Sequence, residues 1–172
     1  MTDTIYFYAQ PDPYAEFSNF APYGVEKDGL WWRTVEHYFQ AMKFHDIAHR
    51  ERIRLCSRPK QAKSLGMSRE IPLRDDWEEV KDGIMLDAVR DKFTLHRGPR
   101  DLLLSTGDAQ IVENAPMDAY WGCGPDGQGL NRLGEILMQV REAGVFEGKA
   151  LGNAGDETAN QFLVHALRHL RP

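Results

Sequence analysis

Cysteine is scarce in this 172-residue chain. Only Cys56 and Cys123 are present, in unrelated contexts, so no disulfide framework and no cysteine-based zinc site can be read from them. No apolar run approaches the roughly 20 residues of a bilayer-spanning helix, so no membrane partner is expected. The N-terminal stretch lacks the basic-then-apolar order of a secretory signal, which makes a cytoplasmic location the expectation. A strong charge of one sign is also missing. Lys and Arg total 21 against 26 Asp and Glu, and a net charge of −5 demands neither nucleic acid nor an anionic surface. There are no internal repeats, and the chain is too short for a barrel of eight β/α units.

What is present is the composition of an ordinary globule with one core: 42% hydrophobic and 27% charged residues. Four Trp, six Tyr and eight Phe are available, several beside polar residues, where they can stack on planar ligands as well as fill a core.

The pattern predicts an α+β fold, mainly helical. A strand is expected at 4–8, a proline-rich loop at 9–23, and a hairpin at 24–33 turning on Asp28-Gly29. Thr34 can cap a helix to about Phe44, and a second helical piece covers 46–56. Pro59 suits the first turn of a third helix. Asp75 and Asp76 offer caps for a long helix from Trp77 to His96. A short helical turn at 100–105, a strand at 109–113 and a helix at 131–142 complete a domain over residues 1–143. A Gly-rich linker at 144–156 and an amphipathic helix at 157–172 follow.

The segment TVEHYFQAMKF, residues 34–44, carries the functional argument. At about 100° per residue, Val35, Tyr38, Phe39 and Met42 form an apolar stripe. Glu36, Gln40 and Lys43 form a polar stripe whose centre lies roughly 115° away, so it flanks the buried face instead of opposing it. A carboxylate, an amide and an amine then meet at the edge of the core. Partial burial there shifts ionisation, as acid–base and amine chemistry require, although a boundary ion pair has the same pattern.

A second constellation is Asp118-Ala-Tyr120-Trp121-Gly122-Cys123-Gly124, leading into a helix after Gly129. Glycines allow close backbone approach, and free N–H groups at the helix start, with Arg132 nearby, can receive a phosphate. Cys123 lacks a sequence-apparent His or Asn partner and is read as a bystander. His45 and His49 have the i, i+4 spacing of a zinc-binding pair, but no third ligand is identifiable, so no metal is assigned. No organic cofactor is called for. Residues 50–74 hold eight basic residues against Glu51 and Glu70, a local +6 that can face a polyanion such as nucleic acid.

Phe17-Ser-Asn-Phe20, Trp32-x-Thr34-x-Glu36-His-Tyr-Phe-Gln-Ala-x-Lys43-Phe44, Trp77, Asp118-Ala-Tyr-Trp-Gly122 and Gly129-x-Asn131-x-Leu-Gly134 resemble, in that order, the YbiA-like or NADAR domain family, over about residues 4–143. The resemblance implies a mainly helical domain with a small sheet. It implies a hydrolase that cleaves the ribose C1′–N bond of a small ribosylamino-pyrimidine phosphate, an early riboflavin intermediate. The alternatives are removal of ADP-ribose from guanine in nucleic acid, or a non-catalytic ADP-ribose or nucleotide-binding module. It makes Glu36, Trp77, Asp118 and Trp121 counterparts of the family's active-site residues. Within that frame Glu36 is the acid/base group, Lys43 the candidate amine nucleophile, and Asp118 a ribose or proton-transfer partner. Asn19, Phe20, Gln40, Tyr120, Asn131 and Arg132 are assigned to substrate binding, with Trp77 and Trp121 holding the base and the backbone at Gly122 and Gly124 approaching the ligand.

Overall fold

Local signals account for where most elements begin. Asp28 and Gly29 have φ of 54° and 75°, the pair of positive values that a tight primed turn needs. They close an antiparallel hairpin of β2 (Val25–Lys27) and β3 (Leu30–Trp32), with Val25 opposite Trp32. Thr34 caps α1 (Val35–Ala41) by accepting the His37 N–H. Asp46 caps α2 (Ile47–Arg54) in the same way through His49 N–H at 2.6 Å. Pro59 opens α3 (Pro59–Met67). The long helix α4 spans Trp77–Leu95, but without the expected cap. The Asp76 carboxylate is taken instead by the Arg74 guanidinium at 2.6 and 2.9 Å. Helix α5 (Arg97–Ser105) starts three residues earlier than expected, because Pro99 falls in its first turn, where a missing N–H is harmless.

The expected single small sheet is two separate pairs. β1 (Thr4–Phe7) runs parallel to β4 (Gln110–Glu113), and the hairpin stands apart from them. Helix α6 (Arg132–Ala143) packs on β4 and α4. The computed structural model describes residues 3–9 and 11–144. The expected helix at 157–172, and all of the 144–156 linker but Gly144, lie outside them.

Helix α1 sits at the centre, against α2, α3, α4 and β3. All seven of its residues are buried. The sequence-based boundary stripe is therefore corrected: Glu36 and Gln40 lie inside the protein, not at its edge, because elements cover the helix on all sides. Its buried His37 is satisfied by Thr34 Oγ1 at 2.8 Å and by the Cys56 carbonyl at 3.1 Å, so it is a structural residue. Around α1 lies an aromatic and aliphatic core that includes Phe7, Phe17, Phe44, Phe93, Leu133 and Leu137.

Candidate active site

Glu36 is 5% exposed and, among the described residues, forms no ion pair; its side chain accepts one hydrogen bond there, from Gln40 Nε2 at 2.8 Å. Burial is the dominant influence and pushes its carboxyl above the usual range. The Gln40 hydrogen bond and the charges of Lys63 and Lys43 pull it back, and Asp118 pushes it further up. The first turn of α1 is held from outside, since Glu36 N–H donates to the Asn19 carbonyl at 3.1 Å. The helix that carries Glu36 is thus docked onto the Phe17–Phe20 segment.

Helix α1 ends at Ala41, so Lys43 lies just past it in a turn, tied to the segment before α4 by Arg74 N–H donating to Lys43 O at 2.8 Å. That tie brings Lys43 to Trp77. Its Nζ lies 5.9 Å from the Trp77 ring and 5.8 Å from the Phe39 ring. Burial, first, and the charges of Arg69 and Lys63 lower the pKa of the amine, with Glu36 acting in the opposite direction. Phe39 joins the two indoles: Trp77 lies at 5.1 Å on it and Trp121 at 5.2 Å, edge to face. Trp77, 7% exposed, is mostly wall, whereas Trp121 is half-buried.

Asp118 organises the loop that delivers Trp121. Its Oδ1 accepts the N–H groups of Tyr120 and Trp121 at 3.0 and 2.8 Å, and Oδ2 has no hydrogen-bond partner among the described residues. Next to it stands Glu113, a residue that sequence reasoning missed. Burial, then the charges of Asp118 and Glu36, push its carboxyl up to about 7. The hint in the sequence was a carboxylate directly after the apolar Ile111-Val112 pair of β4.

Several residues expected at the ligand also have partners within the protein. The Asn131 side chain donates to the Ile111 carbonyl and accepts Glu113 N–H, at 2.8 and 2.9 Å, so it pins β4. The N–H groups from Gly129 to Leu133 all donate to loop carbonyls from Ala119 to Cys123, so these five amides are spent on the loop itself. Arg132 is held by Asp82 at 2.7 Å and by Glu135. Tyr120 Oη donates to the same Asp82 at 2.8 Å. A Cβ on Gly122 would lie 2.7 Å from that of Ala115 and 2.8 Å from Glu113 O, so this glycine lets the loop pack on itself. Gly124 has φ 69° and lies against Ala119. Cys123 is buried, its Sγ 3.5 Å from Asn114 Oδ1.

Asn19 is buried, with its amide on Met85 Sδ at 3.4 Å and Oδ1 unpartnered, while Phe20 is exposed with Lys63 Nζ 5.7 Å from its ring. His45 is exposed, whereas His49 is buried against Phe44 with Nε2 3.4 Å from Leu65 O, so the pair does not converge. In the basic run, Arg54 and Arg74 pair with Glu51 and Asp76, and Arg50 donates to Phe44 O. Lys63 and Arg69 instead lie within electrostatic reach of Lys43.

The NADAR domain model matches residues 6–143. The chain belongs to the NADAR domain family. It is 50% identical over 143 residues to the N-glycosidase YbiA of Escherichia coli K12, a match that covers 83% of this chain and 89% of YbiA. The NMR structure of E. coli YbiA superposes with a TM-score of 0.78 at 47% identity, covering 91% of this chain and 93% of that one. A maize chloroplastic riboflavin biosynthesis protein is 37% identical over 155 residues, which is 81% of this chain and 25% of the maize protein. The NADAR fold thus embraces the residues from β1 to α6, with Glu36, Lys43 and Asp118 all inside it. No helix among the described residues is long and apolar enough to cross a membrane.

Proposed function

We propose that this NADAR protein is an N-glycosidase that hydrolyses the bond between ribose C1′ and the nitrogen of a ribosylated base, with a ribosylamino-pyrimidine phosphate as substrate. The observation that carries this reading is the shared niche of Glu36 and Lys43: a buried carboxyl and a desolvated amine, each within the other's field, beside Phe39, Trp77 and Trp121. The names of the relatives, N-glycosidase and riboflavin biosynthesis protein, support it.

Cleavage of a C1′–N bond develops positive charge at C1′ and negative charge on the departing base, and an enzyme accelerates it by stabilising both. Glu36 is the acid/base group: ionised, it faces the cationic sugar and takes a proton from the attacking group; protonated, it returns one. Lys43, its pKa lowered by burial, supplies an amine lone pair at C1′. The ribose ring opens to a Schiff base on Nζ, which water then hydrolyses. Asp118 Oδ2 is free for a ribose hydroxyl, and Trp121 offers a stacking surface worth about 1–3 kcal/mol per base. Incubation with a ribosylamino-pyrimidine phosphate, chromatography of the released base, and borohydride trapping test this reading. Release of base with a reduced adduct on Lys43 is expected. No release overturns the reading, and release without an adduct removes the imine step.

A second reading, removal of ADP-ribose from guanine in nucleic acid, draws on the placement of Lys63 and Arg69 beside Lys43, which brings part of the basic run to the site. Affinity for single-stranded DNA that falls steeply with salt would favour it.

A further inference from the structure

We propose that Glu113 is a catalytic acid of this site, the group that hands a proton to the departing base nitrogen, leaving Glu36 to act as the base. This inference rests on the N-glycosidase reading above.

The placement comes from β4 and the loop after it. Glu113 is the last residue of β4, and its main chain is held at both ends: Asn131 Oδ1 accepts its N–H at 2.9 Å, and its carbonyl accepts Cys123 N–H at 2.9 Å. Gly122 allows this closeness, since a Cβ there would meet both Glu113 O and Asp118 O, at 2.8 and 3.1 Å. The strand end and the Asp118–Trp121 loop are therefore locked together, and Glu113 travels with the residues already placed in the site. Its carboxyl has no hydrogen-bond or ion-pair partner among the described residues. A half-buried, unpartnered carboxyl has no structural role to account for it, because removing it from water without a partner is destabilising.

Its surroundings raise its pKa to about 7, which keeps a protonated fraction at neutral pH. Burial acts first; then Asp118 from the loop and Glu36 from α1 push it further up, and Lys63 from α3 pulls it back. Neighbouring carboxyls in a dry site do not all ionise together, and their pKa values separate into an acid and a base. Burial raises both carboxyls, Glu113 to about 7, and the Gln40 hydrogen bond and the Lys43 charge act to lower Glu36 but not Glu113. The step balances. The C1′–N electron pair stays with the base nitrogen, which takes the Glu113 proton. Lys43 Nζ or water forms the new bond to C1′ and gives its proton to Glu36. Solvent water later restores Glu113.

Leaving-group dependence tests this role. The substrates are a ribosylamino-pyrimidine phosphate, whose base needs a proton to depart, and 4-nitrophenyl riboside 5-phosphate, whose phenolate does not. In Glu113→Gln we expect a loss of about 10²- to 10⁴-fold on the first and little loss on the second. Glu36→Gln is expected to lose both. Equal losses of Glu113→Gln on the two substrates, or none on the first, overturn the assignment. If the nitrophenyl compound is not taken, the pH profile of kcat/KM on the pyrimidine substrate decides. A fall on the alkaline side in the parent that vanishes in Glu113→Gln supports the role, and an unchanged limb refutes it. A parent protein that cleaves neither substrate removes the N-glycosidase reading itself, a result distinct from any of these.

Discussion

Gly66 of α3 lies so close to Gln40 of α1 that a Cβ at position 66 would fall 2.0 Å from Gln40 Oε1 and 2.8 Å from Gln40 Cβ. The hydrogen bond on Glu36 depends on this contact, because the other end of the same Gln40 amide donates to the carboxylate. Helix packing and the electrostatics of the site are thus joined through one side chain.

Gly66→Ala is expected to push Gln40 off Glu36. Overpacking of this kind costs about 1–3 kcal/mol, read as a lower urea midpoint. The kcat should fall by more than the folded fraction does. A variant with reduced stability and unchanged kcat would show that the Gln40 contact is dispensable for turnover.

Glu36→Gln should abolish turnover while leaving the fold intact, since the uncharged amide fills the same volume without the burial penalty. A drop of about 10²- to 10⁴-fold in kcat is the scale for loss of an acid/base group. Circular dichroism, thermal unfolding and product chromatography on the same sample check it, and full activity would contradict the assignment.

Asn131→Ala is expected to act on stability. The side chain bridges Ile111 O and Glu113 N–H, and its backbone has φ 53°, where alanine is strained. A loss of about 1–3 kcal/mol follows from leaving buried backbone groups unpaired. A raised KM without any loss of stability would instead assign Asn131 to ligand binding.

Lys92 makes stability depend on alkaline pH. It is 1% exposed, donates to Ser18 O at 2.9 Å and has no acidic partner in contact among the described residues, so burial lowers its pKa from 10.5 to about 7 against the weaker pull of Glu16. Between those values the unfolded chain holds a proton that the folded protein has released. Stability therefore rises with pH from about 7 to about 10, and the full burial penalty is present below pH 7. Lys92→Met should flatten this rise. Urea unfolding from pH 6 to pH 10 measures it, and a slope unchanged in the variant would place its source elsewhere.

Residues whose instructions are local were legible in the chain itself. The Asp28-Gly29 turn, the Thr34 and Asp46 caps and the Pro59 start each need only their neighbours, because a turn or a helix end is satisfied within a few residues. The Glu36–Gln40 pair was legible for the same reason, being one helical turn apart. Asp76 shows the limit even at short range, as an arginine two residues away outcompeted the helix end for its carboxylate.

By itself, then, the sequence determined the helices, the hairpin and the residue types available for ribosyl chemistry. Tertiary structure alone decided which of them share a dry space. It enclosed α1 on every side, spent the glycine-loop amides and Asn131 on the backbone of their own neighbourhood, and carried Glu113 to Glu36 across 77 positions of chain. The physical reason is that burial, and with it the ionisation of every carboxyl and amine in the site, belongs to the packed arrangement and to no segment within it.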